Sequence, residues 1–419
     1  MRIALLNDSF PPIIDGVANA VVNYATVLNK CGQEPLVAVP DYPDVRDDYP
    51  FPVLRYRSLD TTKLFGYRAG YPFSASAIDD LTSFRPDIIH SHCPVASNLL
   101  ARMLRESTGA PVVFTYHTKF DIDIRTAVRW HLLQNELIAA LVRNIQACDE
   151  VWTVSRGAGE NLRSLGFEGE YTVMENGVDM PRGRADEALI EKVDALCGLT
   201  PGVPVFLFAG RLRWYKGIRH IIEGLAIAMR AGADFRMIFV GDGSDRADIE
   251  KLCEQAYIMP RCVFVGAVQD RELLRAFYSR ADLFLFPSTF DTNGIVVREA
   301  AACGLGALLV RGSCAAEDIT DGRNGLLMDE NAEDLCRQVL FACGHPEETR
   351  RIGENAQNDL YISWDTAVAR AQERYQIIAE RFRSQPAKPR HDLFPLLSGS
   401  VDIVNKARDI SQQVLDLLR

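Results

Sequence analysis

No apolar run in this chain approaches the roughly 20 residues that a membrane-spanning helix requires, so any bilayer contact would be peripheral. Low-complexity tracts are missing as well. Hydrophobic residues make up 47% of the sequence and charged residues 24%, a balance that excludes a disordered chain. Positive charge is in deficit, with a formal net charge of −10. Affinity for a phosphate backbone draws on clustered Lys and Arg that displace counterions, so no nucleic-acid partner is expected. Ten cysteines are present, but no two stand in a C-x-x-C pair and none has finger-like Cys/His spacing. They read as reduced core thiols of a cytosolic protein. The apolar run after Met1-Arg2 stops at Asn7 and Asp8, too short for a signal-peptide core, and the chain is expected to stay inside the cell. A G-x-G-x-x-G after the first strand is lacking too, which argues against a dinucleotide oxidoreductase.

What is present is a chain of 419 residues, longer than one hydrophobic core usually serves. Short β-branched runs alternate with helical patterns, the signature of α/β parallel sheets. Arg2–Leu6, Pro35–Val39, Asp87–His90, Pro111–Thr115, Glu150–Val154 and Tyr171–Met174 read as strands. Val17–Leu28 and Trp130–Gln146 read as crossover helices. A charged segment from Asp179 to Pro204 interrupts the pattern, and the alternation then resumes with Val203–Ala209, Phe235–Val240, Cys262–Val265, Leu283–Pro287 and Gly306–Val310. Four segments are expected: an acceptor-side Rossmann-like domain over 1–183 and a nucleotide-binding one over 184–363. A helix over 364–383 then returns to the first domain, and an extension over 384–419 follows. Val401–Leu418 carries a second apolar stripe, read as a packing or oligomerisation helix that would make a homodimer, with membrane contact as the alternative.

The strongest chemical pattern runs from Asp291 to Gly304, directly after the strand-and-turn Leu283–Ser288. A helix starting near Gly294 points its free N–H groups and positive dipole end at the sheet edge, an anion site suited to a diphosphate. Asp291, just outside that helix, can accept from sugar hydroxyls, and Glu299, about one and a half turns in, can take a ribose diol. Phe208–Gly217 is the second pattern, in which the strand ends at Gly210 and two cations, Arg211 and Lys216, stand five residues apart. Such cations can neutralise a diphosphate where other enzymes use a metal.

These segments resemble the family 4 retaining glycosyltransferases, with the GT-B fold of two facing Rossmann-like domains, over about residues 1–383. The resemblance rests on an acid-x7-acid signature, here Asp291 to Glu299, a Gly-Arg…Lys-Gly segment, a glycine loop after the first strand, and a histidine, here His117, on a loop of the first domain. It implies that Arg211 and Lys216 bind the donor diphosphate, that Gly294, Ile295 and Val296 lie against phosphate or sugar, and that Glu299 binds ribose. Val265–Val268, with Gly266 in it, looks like the family's base-binding loop, and His117 like the residue that contacts the transferred sugar. Two departures stand out: the first acid is Asp291 rather than Glu, and Asn293 replaces the usual Phe. The first loop, Ile14-Asp15-Gly16-Val17, has one glycine where many relatives have two.

The implied partners are a nucleotide diphosphate sugar, UDP-glucose in the first instance, and an acceptor hydroxyl. Asp291–Gly294 and Tyr116–Phe120 look most like the glycolipid-forming branch, in particular diacylglycerol glucosyltransferases that sit on the inner membrane face. Basic and aromatic residues mixed over Lys63–Phe73 and at Arg125, Arg129, Trp130 and His131 suit lipid contact, and equally suit an ordinary acceptor cleft for a small soluble acceptor. No cofactor and no metal is expected. Asp121-Ile122-Asp123 has a metal-like spacing without a strand-end setting. His90-Ser91-His92-Cys93 could imitate a metal cluster, but side chains at a strand end alternate between faces, so a structural or cleft-lining role is read instead. A nucleotide-sugar epimerase or hydrolase would need a second acid/base set, and an inactive sugar-nucleotide-binding subunit would have no need of Arg211, Lys216 and Glu299 together.

Overall fold

The computed structural model describes residues 1–384 apart from Ile14, residues 63–66 and residues 128–129; of the side chains of residues 123, 126 and 127 nothing is described. The apolar stripe at Val401–Leu418, residue Arg129 and the first part of the 63–73 segment thus lie outside the described residues. Strands β1 (Arg2–Leu6), β2 (Glu34–Pro40) and β3 (Val53–Tyr56) lead into a small antiparallel ribbon of β4 (Ser58–Leu59) and β5 (Ala69–Gly70). Then come β6 (Ile88–Ser91), β7 (Val112–Tyr116), β8 (Glu150–Thr153) and β9 (Tyr171–Val173). The second half supplies β10 (Val205–Ala209), β11 (Arg236–Val240), β12 (Cys262–Gly266), β13 (Leu283–Phe286), β14 (Ala307–Val310) and β15 (Leu326–Met328).

Both large sheets are parallel, in the orders β3-β2-β1-β6-β7-β8-β9 and β12-β11-β10-β13-β14-β15. Strands such as Val205–Ala209 are buried along their whole length because helices cover both sheet faces, which is why they appear in sequence as continuous apolar runs. Strand order reverses direction between β1 and β6 and again between β10 and β13. Doubly wound sheets open a ligand crevice at the carboxyl ends of strands at such switch points. The loops leaving β1, β6, β7, β10 and β13 therefore carry the candidate site.

β3 and β15 are strands that the sequence pattern does not single out. β3 follows a Pro- and Asp-rich loop and is half-buried at the sheet edge, and β15 has only three residues, too few to set a period. The last described helix, Trp364–Ser384, packs on the first sheet. Trp364, Val368, Ala371, Tyr375 and Ile378 are buried in one core with Ile3, Leu5, Tyr24 and Val37. Glu150 accepts two hydrogen bonds from Arg374, at 2.5 and 3.0 Å, and fastens the helix to β8. The chain crosses between the two sheets twice, and the crossings lie side by side: Val178 bridges Ser363, with the Val178 N–H donating to the Ile362 carbonyl at 2.9 Å.

Candidate functional site

Helix Ile295–Ala302 follows β13 through a loop of eight residues and starts at Gly294, whose φ of 58° and ψ of 49° lie in the left-handed region. No side chain caps it, and while the Val297 N–H donates to the Gly294 carbonyl at 2.8 Å, the N–H groups of Ile295 and Val296 are left to a ligand or solvent. A Cβ at Gly294 would stand 2.8 Å from the Ala315 Cβ, so both the backbone shape and the close packing require glycine. Glu299, buried in the same helix, accepts from Arg271 at 2.7 Å and from the Tyr278 hydroxyl at 3.1 Å, which fixes the direction of its carboxylate. Asn293, buried just before the helix, has no hydrogen-bond partner for its Nδ2 among the described residues.

Lys216 closes a short 3₁₀ turn, Trp214–Lys216, after β10. It is buried, and its Nζ donates to Asp291 Oδ1 at 2.5 Å while Ser288 Oγ donates to Asp291 Oδ2 at 2.6 Å. The two predicted arms of the sugar and phosphate site are thus joined directly to one another, three residues from the helix start. Gly217, next in the chain, has φ 76°, and a Cβ there would meet the Pro287 carbonyl oxygen at 2.0 Å. Gly217→Ala is expected to cost more than about 2 kcal/mol, seen as a lower urea midpoint at unchanged slope. Arg211 stands apart: it is exposed and makes no side-chain hydrogen bond or ion pair among the described residues. Gly210, at the end of β10, donates its N–H to the Val240 carbonyl at 2.9 Å, and Gly266 ends β12 with φ 86° beside Val265, so both lie along the same carboxyl edge.

From the other half, helix Gly16–Lys30 begins opposite this site. Asp15 caps it by accepting from the N–H groups of Val17 and Ala18 at 2.8 and 2.7 Å. A Cβ on Gly16 would lie 4.0 Å from the Ile295 Cδ1, so the two helix starts face each other across the gap, with Val296 the next residue on the far side. His117 follows β7, and its carbonyl accepts from the Thr292 hydroxyl at 2.6 Å. The Thr292 carbonyl in turn accepts from Ser155 Oγ at 2.5 Å. Thr292 is thereby gripped from two loops of the first sheet, a role that sequence reasoning missed although the residue lies inside the Asp291–Gly294 motif.

At the end of β6, alternation puts His90 and His92, two residues apart, on one face, with ring centroids 3.9 Å apart. His92 Nδ1 lies 3.0 Å from His117 Nε2, and all three rings are buried. Burial holds the His117 imidazole down to about 3. Burial, reinforced by the neighbouring histidines, holds His90 and His92 well below the usual histidine range. No group of three or more His, Cys, Asp or Glu is placed to hold a metal ion among the described residues. Asp121 sits in helix Phe120–Ala127 facing Arg125 at 3.8 Å.

Two openings lie near the loops of the second sheet. One, of about 430 Å³, lies between Ile122 and the rings of Trp214, Tyr215 and Phe290, next to Lys216. The other, of about 300 Å³, lies behind the helix, where Arg298 donates to Glu175 at 2.6 Å and to Asp318 at 3.0 Å. Glu317 accepts from the backbone N–H groups of Arg156 and Gly157 and so caps a helix of the first half from the second. The Arg298–Glu175 pair and the Glu317 contacts join residues 120 or more positions apart, which local sequence patterns do not announce.

Comparison with known proteins bears on the same two halves. Residues 14–182 match a model described as Glycosyltransferase Family 4, and residues 198–359 one described as Glycosyl transferases group 1. The sulfoquinovosyl transferase SQD2 of Arabidopsis thaliana is 27% identical over 88% of this chain and 71% of its own length. The alpha-monoglucosyldiacylglycerol synthase of Acholeplasma laidlawii is 23% identical over 85% of this chain and 92% of its own. Among solved structures, Anabaena Alr3699/HepE in complex with UDP superposes with a TM-score of 0.72 at 19% identity, covering 90% of this chain and all of that one.

Proposed function

We propose that this chain, which belongs to the family 4 glycosyltransferases with a group 1 second domain on the GT-B fold, moves a hexose from a nucleoside diphosphate to a lipid hydroxyl with retention at the anomeric carbon. The donor we infer is UDP-glucose and the acceptor diacylglycerol. The observation that carries this reading is the Lys216–Asp291 pair beside the uncapped start of helix Ile295–Ala302, facing Gly16 across the gap between the sheets.

In this reading the diphosphate lies against the N–H groups after Gly294, with Lys216 and Arg211 supplying positive charge. Glu299, already aimed by Arg271 and Tyr278, takes the ribose, and the loop at Val265-Gly266 the base. Asp291 and His117 meet the transferred sugar, with Asn293 Nδ2 as a donor where relatives carry Phe. The acceptor oxygen attacks the anomeric carbon on the face from which the diphosphate departs. The bond from that carbon to the phosphate oxygen breaks, and the hydroxyl proton passes to the leaving phosphate. Buried polar atoms without a protein partner, Asn293 Nδ2 and Asn176 Oδ1, support a site completed by ligand. The paired crossings at Val178 and Ser363 serve as the hinge on which a domain over 1–183 closes on one over 184–363, excluding water.

A lipid acceptor is supported by the names of the glycolipid-forming relatives and by the exposed face of the first half. There Trp130 and Leu132 are 52% and 84% exposed, Tyr71 and Phe73 are each 38% exposed, and Arg57 lies over the Tyr71 ring at 5.9 Å. No helix among the described residues is long and apolar enough to cross a membrane, so this contact would lie on the bilayer surface. The test is incubation with labelled UDP-, GDP- and ADP-sugars, with and without vesicles containing diacylglycerol. Label should enter the lipid from UDP-glucose as the α-anomer, with full activity in chelator. Transfer only to soluble sugars would replace the lipid by a small acceptor, and a β-linked product would overturn retention.

A further inference from the structure

The ring array behind His117 is more than packing. His90 is locked by two hydrogen bonds, one between Nδ1 and the Tyr375 hydroxyl at 2.5 Å and one between Nε2 and Thr115 Oγ1 at 2.7 Å, its neutral ring donating in one and accepting in the other. Trp152 and Tyr24 set their rings edge-on to it at 5.0 and 5.7 Å. His92 lies tilted over this fixed ring and is bounded by Tyr24 on another side at 5.4 Å. Its Nδ1 is spent on His117, and its Nε2 has no partner among the described residues. Two neutral imidazoles share a hydrogen bond only when one nitrogen carries the proton and the other does not. Because the contact joins Nδ1 of His92 to Nε2 of His117, the two rings must hold the same tautomer, both Nδ1–H or both Nε2–H. The remaining ring nitrogen of His117, Nδ1, is 3.5 Å from Asn176 Nδ2, and its backbone carbonyl holds Thr292 in the donor loop.

We propose that His92 is a positioning residue for glycosyl transfer, fixing the ring angle and tautomer of His117 from a foundation set by His90 and Tyr375. The inference rests on the reading of His117 as a group that meets the transferred sugar. It adds a specific dependence: the helix Trp364–Ser384 reaches the site through Tyr375, His90 and His92, so this helix is part of the catalytic architecture and not merely a cover for the first sheet. His92 touches neither the diphosphate site nor the nucleoside side, so its loss should act on turnover and leave donor affinity in place.

The experiment compares His92→Phe, which keeps a ring in the stack without the hydrogen bond, His92→Asn, whose amide can restore a polar group near the Nδ1 position, and His117→Ala. His92→Phe is expected to lower kcat about 10- to 100-fold, with donor KM unchanged and His92→Asn recovering most of the loss. The His92→Phe/His117→Ala double variant should be no worse than His117→Ala alone, because both changes break one device. Long-range ¹⁵N–¹H spectra of the wild-type protein should show His92 and His117 as the same tautomer, a readout that needs no variant to fold. Wild-type kcat in His92→Phe with an impaired His117→Ala, or opposite tautomers at the two rings, overturns the inference alone. Wild-type activity in His117→Ala overturns the reading beneath it, and this inference with it.

Discussion

Lys216→Ala is expected to lower kcat/KM for transfer about 10²- to 10³-fold while the chain still folds. The ammonium is buried, carried on a rigid 3₁₀ turn and aimed by Asp291, so it is in place before the donor arrives. A charge held in advance costs no reorganisation as the diphosphate leaves, and in a closed cleft it acts through a lower dielectric than water. Its removal also leaves Asp291 with Ser288 as its remaining side-chain partner. The Asp291 carboxylate is still partly open to solvent, so a stability loss of about 1 to 3 kcal/mol is expected, which a domain of this size tolerates. Initial rates with labelled sugar nucleotide, alongside a thermal melt, separate the two effects. Wild-type turnover in a folded Lys216→Ala protein would remove the lysine from the mechanism.

Acidification from pH 7.5 to 5.5 is expected to lower the unfolding free energy by about 4 kcal/mol from the histidine array alone. Burial depresses all three imidazoles in the folded state, His117 to about 3 and His90 and His92 well below the usual range. In the unfolded chain each takes up a proton as pH falls below about 6.5. The unfolded state then binds more protons than the native one, so stability falls with pH, by about 1.4 kcal/mol per histidine at one unit below its unfolded value. Asp8 acts in the opposite sense at the acid end of the range, since burial raises its carboxyl and the folded state takes up that proton first. Urea unfolding at the two pH values measures the difference. A midpoint that does not move would mean that the three rings are not buried together. The same depression keeps His117 neutral through the neutral range, so no limb of the pH–rate profile between pH 5 and 8 should belong to it.

The two sheets and their parallel winding were legible because buried strands such as Val205–Ala209 leave unbroken apolar runs between turn signals, and helix Trp364–Ser384 because its 3.6-residue period extends over five turns. The strand–loop–helix unit over Leu283–Ala302 was legible too. A strand, a short loop and a glycine-led helix are consecutive in the chain, and local backbone conformation sets their geometry. The edge strands β3 and β15 escaped because few residues and one open side leave no period to read.

By itself the sequence determined the α/β winding, the helix start at Gly294, the strand end at Gly210, and the supply of cations and carboxylates around them. It did not determine which of those groups meet. Lys216 and Asp291 are 75 residues apart, His92 and His117 are 25 apart, and Thr292 reaches His117 over 175 residues. Those pairings depend on the strand orders that set β10 beside β13 and β6 beside β7, and on the two halves closing on one gap. Backbone preference acts over a few residues, whereas a contact between distant side chains exists only once the whole sheet has fixed their registers.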